Sequence, residues 1–177
     1  GRLNADKDSY GVPRSKSIQT TPAHQLALAA VYYSPLQYMY WYDKPSDSQD
    51  EPELKFFDDV YTTWDDTKVL QGEVGEFITI ARRKGEEWFI GSITNNEKRV
   101  LSVSLDFLPE GKNYIAEIYT DGDKSVKTRT KVRVSTYRVS NKTKLNFCLK
   151  ASGGGAVRLV PDDGNIKSVK NYKQQRL

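Results

Sequence analysis

Apolar and polar residues alternate with two distinct periods along this chain, and the change of period divides it. From Val69 to Ile93 the period is two: Phe77, Thr79 and Ala81 alternate with Ile78, Ile80 and Arg82, as in a β-strand. Gly85 supplies a reversal, and Glu87 to Ile93 resumes the extended pattern with aromatic and β-branched residues. The unit reads as a β-hairpin with Arg82, Arg83, Lys84, Glu86 and Glu87 at an exposed tip. The same period continues downstream, where Leu101, Val103 and Leu105 point one way and Val132-Arg133-Val134 alternates again. Strands are expected at about 67–72, 76–84, 87–95, 98–105, 112–120, 129–139, 143–150 and 155–160. The separators are turn-forming: Gly75, Gly85, Asn95-Asn96, Pro109-Glu110-Gly111, Asp121-Gly122-Asp123, Asn141-Lys142 and Gly153-Gly154-Gly155. About eight short strands without intervening helices predict an antiparallel β-sandwich or barrel.

Upstream the pattern is helical. Thr21 is a suitable N-cap, because its hydroxyl can accept from a free backbone N–H, and Pro22 fits the first helical position. From Ala23 to Trp41 the residues are apolar nearly all round, so this long helix should be buried on most sides. Pro35 should kink or break it near Ser34. A turn-rich linker, Asp43 to Asp50, leads to a short helix at about Glu51 to Val60 with Leu54, Phe56, Phe57 and Val60 as its apolar set. The expected organisation is a polar arm (1–20), a helical segment (21–62), a mainly β sandwich domain (63–160) and a basic, solvated polar tail (161–177).

Composition adds limits. The 177 residues suffice for one ordinary domain with a small attachment, and the 37% hydrophobic share is diluted mainly by the first 20 residues, 43–53 and 161–177. Basic and acidic residues are interleaved, with a net charge of +4, so no basic stripe for nucleic acid is present; only Lys167, Lys170, Lys173 and Arg176 cluster. No apolar run approaches the roughly 20 residues of a membrane-spanning helix. The start, Gly1-Arg2-Leu3-Asn4, is polar and is no signal peptide; lacking an initiator methionine, it reads as part of a longer protein.

Candidate chemistry is sparse. The one histidine, His24, lies in the first turn of the apolar helix, where a packing or helix-end role is the default against a catalytic one. The one cysteine, Cys148, excludes an internal disulfide and reads as a buried, inert thiol in a strand. Metal sites need converging ligands, and none is expected; Asp65-Asp66 and Asp121-Gly122-Asp123 lack calcium-loop spacing and read as turn residues. Gly153-Gly154-Gly155 lacks the context of a phosphate loop and should permit close backbone approach or positive φ. Glu86 and Glu87 are adjacent on a strand, point to opposite faces and cannot flank one bond. Trp88, Tyr114 and Tyr119 could stack on sugars, but core or cross-strand roles are commoner. No catalytic residue is expected, and no substrate-binding residue can be assigned.

Several segments together resemble a known family. Thr21-Pro22-Ala23-His24-Gln25-Leu26-Ala27-Leu28 and Tyr33-Ser34-Pro35-Leu36-Gln37 resemble the last helix of the catalytic barrel in glycoside hydrolase family 97. Phe57, Thr63 to Leu70, Gly72, Val74-Gly75 and Ile80-Ala81-Arg82-Arg83-Lys84-Gly85 resemble the junction and opening strands of that family's C-terminal β domain. So do Trp88 to Thr94, Asp121-Gly122 and Gly153-Gly154-Gly155-Ala156, and the likeness covers about 21–160. It implies a parent enzyme with an N-terminal β-sandwich, a (β/α)₈ barrel and this C-terminal sandwich, an exo-acting α-glucosidase or α-galactosidase acting on oligosaccharides. The parent would be calcium-dependent and exported to the bacterial periplasm or secreted. Its catalytic glutamates and calcium ligands would precede this chain, to which none is carried over. The expected partners are the preceding barrel and a second subunit, with Leu26, Leu36 and Met39 left more exposed in this chain or covered by another chain. The contrasting expectation is a free-standing carbohydrate-binding module, which needs a flat row of exposed aromatics. Catalysis by this chain alone lacks a converging acid/base pair.

Overall fold

The computed structural model describes residues 19–37, 41, 51–166 and 168–173. Most of the expected arm, the linker Asp43 to Asp50, Met39, Lys167 and Arg176 lie outside the described residues. Among the described residues the order is α1 (Pro22–Val31), a 3₁₀ turn (Pro52–Leu54), α2 (Lys55–Asp59), then β1 (Asp66–Glu73), β2 (Phe77–Lys84), β3 (Glu87–Thr94) and β4 (Arg99–Ser104). After these come β5 (Asn113–Asp121), β6 (Val132–Ser140), β7 (Lys144–Leu149) and β8 (Gly154–Pro161). Each strand coincides with an expected one to within a few residues, and every pairing is antiparallel.

The strands form a six-stranded sheet, ordered β1-β2-β3-β8-β5-β6, and a two-stranded sheet, β4-β7. Period-two alternation directs one set of side chains of the large sheet (Ala81, Trp88, Ile90, Ala116, Val157, Leu159) toward Leu101 and Val103 of β4 and Leu145, Phe147 and Leu149 of β7. The opposite set, including Phe89, Tyr119, Val132 and Ala156, meets α1, α2 and Trp41. The central strands β2, β3 and β8 are therefore covered on both faces, which explains their near-continuous apolar character. The result is three layers: helices, large sheet, small sheet.

The long helix departs from expectation. It stops at Val31, with Tyr32 already extended (φ −77°, ψ 130°), rather than continuing to Trp41. Pro35 explains the position, because it has no N–H to donate to the carbonyl four residues earlier, which is Val31. The remaining end carbonyls find other donors, described below. Leu26, expected to be left more exposed or to be covered by another chain, is fully buried, because α1 finds its cover within this chain, in the sheet, Phe56 and Trp41. Exposure begins only beyond the helix, where Tyr33 is 68% and Leu36 78% exposed. Cys148 is also a correction: β7 buries Leu145, Phe147 and Leu149, so alternation turns Cys148 outward, opposite Val100.

The tail is not wholly a solvated end. Arg138 N–H of β6 donates to Lys170 O (2.9 Å), and Tyr172 N–H donates to Arg138 O (2.9 Å). The Tyr172 ring lies edge-on to Tyr137 at 5.4 Å, and its hydroxyl accepts from Asn146 N–H (3.0 Å). A parallel bridge between Arg138 and Asn171 thus covers part of the β6 edge.

The glycines beneath α1 set how closely the layers approach. A Cβ built at Gly154 would lie 2.5 Å from His24 Cα, and one at Gly91 would lie 2.5 Å from Ala27 O. Neither space can be made by moving a flexible side chain. We expect Gly154→Ala to lower stability by about 3 kcal/mol. Urea titration followed by tryptophan fluorescence measures this, and a cost below the spread of ordinary surface substitutions would contradict the close docking.

Candidate functional site

The polar groups singled out in the sequence converge on the two ends of α1. At its N-terminus Thr21 Oγ1 accepts from His24 N–H (3.2 Å), while Thr21 N–H donates to Ser152 O (3.1 Å). His24 Nδ1 lies 3.1 Å from Gly153 O, and because a carbonyl only accepts, that nitrogen carries the proton. Asp121 Oδ2 accepts from Lys150 N–H (2.9 Å) and Gly154 N–H (3.1 Å), so it closes the turn between β7 and β8. Burial lowers the His24 pKa against the opposing influence of the Gly153 hydrogen bond and the Asp121 charge. Burial likewise raises that of Asp121, against its hydrogen bonds. The polar atoms of this pair hold backbone, and the glycines serve close approach rather than positive φ.

The C-terminus of α1 is held by Arg82, which was expected at an exposed hairpin tip and is instead buried. Its Nε donates to Ala30 O (2.5 Å), its Nη2 to Val31 O (2.9 Å) and its Nη1 to Thr67 Oγ1 (2.8 Å). Tyr32 N–H donates to Leu28 O (2.9 Å), and Gln37 Nε2 to Ala29 O (3.1 Å). All four carbonyls that a helix end leaves open are thereby satisfied. The guanidinium also lies 5.2 Å from the centre of the exposed Tyr33 ring. Sequence reading missed this clamp because Arg82, Arg83 and Lys84 form one charged run; the signal was that period two places Arg82 on the face opposite Ala81, a face that also carries Gly91.

The remaining candidates take structural roles. Asp65 accepts from Gly85 N–H (2.8 Å), and this bond, with Lys84, lowers its pKa; Asp123 accepts from Ser125 N–H (2.8 Å). Glu86 pairs with Lys112 (2.9 Å) and Glu87 with Arg158 (2.8 Å), on separate faces. Arg158 also meets Asp59 of α2 (2.7 Å), tying that helix to β8. Trp88, Tyr114 and Tyr119 are buried, with Trp88 against Phe107 at 4.7 Å and Tyr119 against Phe56 at 5.4 Å. None of these three can present a flat face to a sugar, which opposes the free-standing binding module. Among the described residues no group of three or more His, Cys, Asp or Glu could hold a metal ion.

Glu53 is an unanticipated feature. It is fully buried, both carboxyl oxygens lack a well-formed hydrogen bond despite the nearby Thr130 hydroxyl, and burial raises its pKa.

Residues 63–160 match the family model described as "Glycosyl-hydrolase 97 C-terminal, oligomerisation". The chain belongs to glycoside hydrolase family 97. Over 158 residues it is 34% identical to a retaining alpha-galactosidase of Bacteroides thetaiotaomicron, covering 88% of this chain and 23% of that protein. It is 36% identical to a family 97 enzyme from Pseudoalteromonas sp. strain K8 solved with acarbose, with a TM-score of 0.74, covering 81% of this chain and 23% of the other. A beta-arabinopyranosidase structure is 25% identical with a TM-score of 0.66, covering 89% and 23% respectively. The chain thus spans under a quarter of the length of these family 97 and related proteins, and it corresponds to the family's C-terminal β domain with a helical lead-in.

Two expectations follow for this family 97 domain. Arg82→Met keeps the apolar stem but leaves the Ala30 and Val31 carbonyls without donors, and should cost about 2–4 kcal/mol; Arg82→Lys should recover only part of it. Denaturant titration of both variants checks this. Burial favours the protonated form of Glu53 in the fold relative to the unfolded chain. Its contribution to stability is therefore full below the ordinary carboxyl value of 4.5 and is lost as pH rises toward the folded-state value. Glu53→Gln should remove that slope, leaving the protein about 1–2 kcal/mol more stable at neutral pH and little changed in acid, as read from melting curves across pH.

Proposed function

We propose that this chain is the non-catalytic, structural and assembly portion of an exo-acting α-glycosidase, an α-glucosidase or α-galactosidase that acts on oligosaccharides. In this reading α1 is the last helix of a preceding catalytic barrel, and the β domain braces it while contributing to contact between subunits. The observation that carries the reading is the double clamp on α1. His24, Thr21 and Asp121 tie its start to the β7–β8 turn, and Arg82 ties its end to β2. A helix so held is a rigid mount for whatever lies on its far side. Beyond the clamp the chain exposes Tyr32, Tyr33 and Leu36, an apolar surface suited to a neighbouring domain. The likeness to a protein named as a retaining alpha-galactosidase supports an α-glycosidase class. Calcium, catalytic carboxylates and export to the periplasm or beyond belong, in this proposal, to the rest of the parent.

The test is the intact mass of the natural gene product, with hydrolysis of p-nitrophenyl α-glucoside and α-galactoside by that product and by this 177-residue chain. The expected outcome is a much larger, active product that loses activity in chelator and regains it with calcium, beside a silent chain. Hydrolysis by the chain itself would overturn the reading and turn attention back to His24 and Asp121.

A further inference from the structure

The six-stranded sheet has two edges, and they are treated differently. The β6 edge is partly covered by residues 170–172 of the tail. Along the outer side of β1 no strand is paired among the described residues. An open edge presents free backbone N–H and C=O groups, and proteins guard such edges with bulges and lysines. β1 carries both, a bulge between Val69 and Gln71 and Lys68 beside it.

The bulge changes which residues share a face. Lys68 pairs with Ala81, on the face toward the small sheet, where its ammonium lies 6.0 Å from the Trp88 ring centre. Glu73 pairs with Phe77, on that same face. Five residues apart, they would occupy opposite faces of a regular strand; the extra residue at the bulge brings them to one side. By the same shift Val69, opposite Ile80, and Gly72, opposite Ile78, share the helix-side face. On that face lies an apolar groove of about 560 Å³, lined by Val69, Gly72, Val74, Ile78 and Ile93. Val69 is 67% exposed and Val74 fully exposed beside it.

We propose that the β1 edge is the contact between two copies of this chain, with β1 pairing antiparallel to itself about a two-fold axis lying between Leu70 and Gln71. In that register Lys68 of each copy stands opposite Glu73 of the other, twice over. Val69 stands opposite Gly72, where the missing side chain leaves room for it at the mouth of the groove. Both pairings join residues of the same face, as antiparallel neighbours require. The charge pattern is self-complementary in this register, so the devices that resist indiscriminate pairing accept a second copy. The inference deepens the assembly role proposed above by naming its surface, and it rests on that reading.

Sedimentation equilibrium of the 177-residue chain is expected to give twice its 20.2 kDa mass. Lys68→Glu and Glu73→Lys, each made alone, should weaken the dimer by about tenfold or more through like charges facing each other, and the double variant K68E/E73K should restore it. Circular dichroism melts of each variant establish that the fold is retained. Hydrogen exchange in the wild-type chain should show β1 amides gaining protection as concentration rises. A dimer insensitive to both single reversals, or one that the double variant does not recover, overturns the β1 edge while leaving the assembly role standing. A chain monomeric at every concentration overturns both.

Discussion

The structure depends on how closely one helix backbone approaches one sheet. Gly91 and Gly154 lie under Ala27 and His24 with no room for a side chain, and Ala23, Ala27 and Ala30 face them from α1. Small residues on both sides let the helix lie lower than the usual spacing, so that main-chain atoms meet side chains across the layer. Arg82 can reach Ala30 O and Val31 O, and Gly153 O can meet the His24 ring, because the helix lies this low. Apolar burial supplies the attraction between the layers, and the polar clamps at both ends set register and orientation.

Covering both faces of the large sheet has a consequence for what the molecule can do. β-Sandwiches that bind sugars commonly offer a sheet face with aromatics on it. Here the aromatics are spent on two cores: Trp88 and Tyr114 face the small sheet, and Phe89 and Tyr119 face the helices. Among the described residues, contact with other molecules is left to the sheet margins, the outer face of β4-β7 and the chain beyond α1. That division suits a bracing element, with one apolar surface next to the mount and an open strand at the far side.

The strands were legible because each is short, alternates, and is bounded by turn residues whose chemistry is local. Asp65 capping Gly85 and Asp123 capping Ser125 are the turn roles expected of them. What was not legible depends on distant partners. The stop at Val31 could be derived from Pro35, but the donors that make the stop tolerable come from Gln37 and from Arg82, far along the chain. Arg82 read as surface because two charged neighbours follow it, whereas alternation, strictly applied, assigns it to the side that Gly91 opens for a helix. Cys148 was misplaced for the complementary reason. Its neighbours are apolar, but a strand in a two-stranded sheet has only one buried face, and Phe147 takes it. The tail read as solvated from its lysines, and Tyr172, docked on Tyr137, outweighs them.

Glu53 is the position where local and global requirements conflict. A carboxyl group in the 3₁₀ turn, next to the Trp41–Glu51 hydrogen bond, is taken fully out of water without a compensating bond. Ionising a group there is costly, so burial shifts Glu53 toward its protonated form, and the destabilisation grows as pH rises from 4.5 toward the folded-state value. The turn leads directly into α2, whose Phe56 stands between Phe89 and Tyr119 in the helix-side core. Strain at Glu53 therefore acts on the same core that seats α1. The core that seats α1 is thus tied to the titration of a residue that bonds to neither end of the helix.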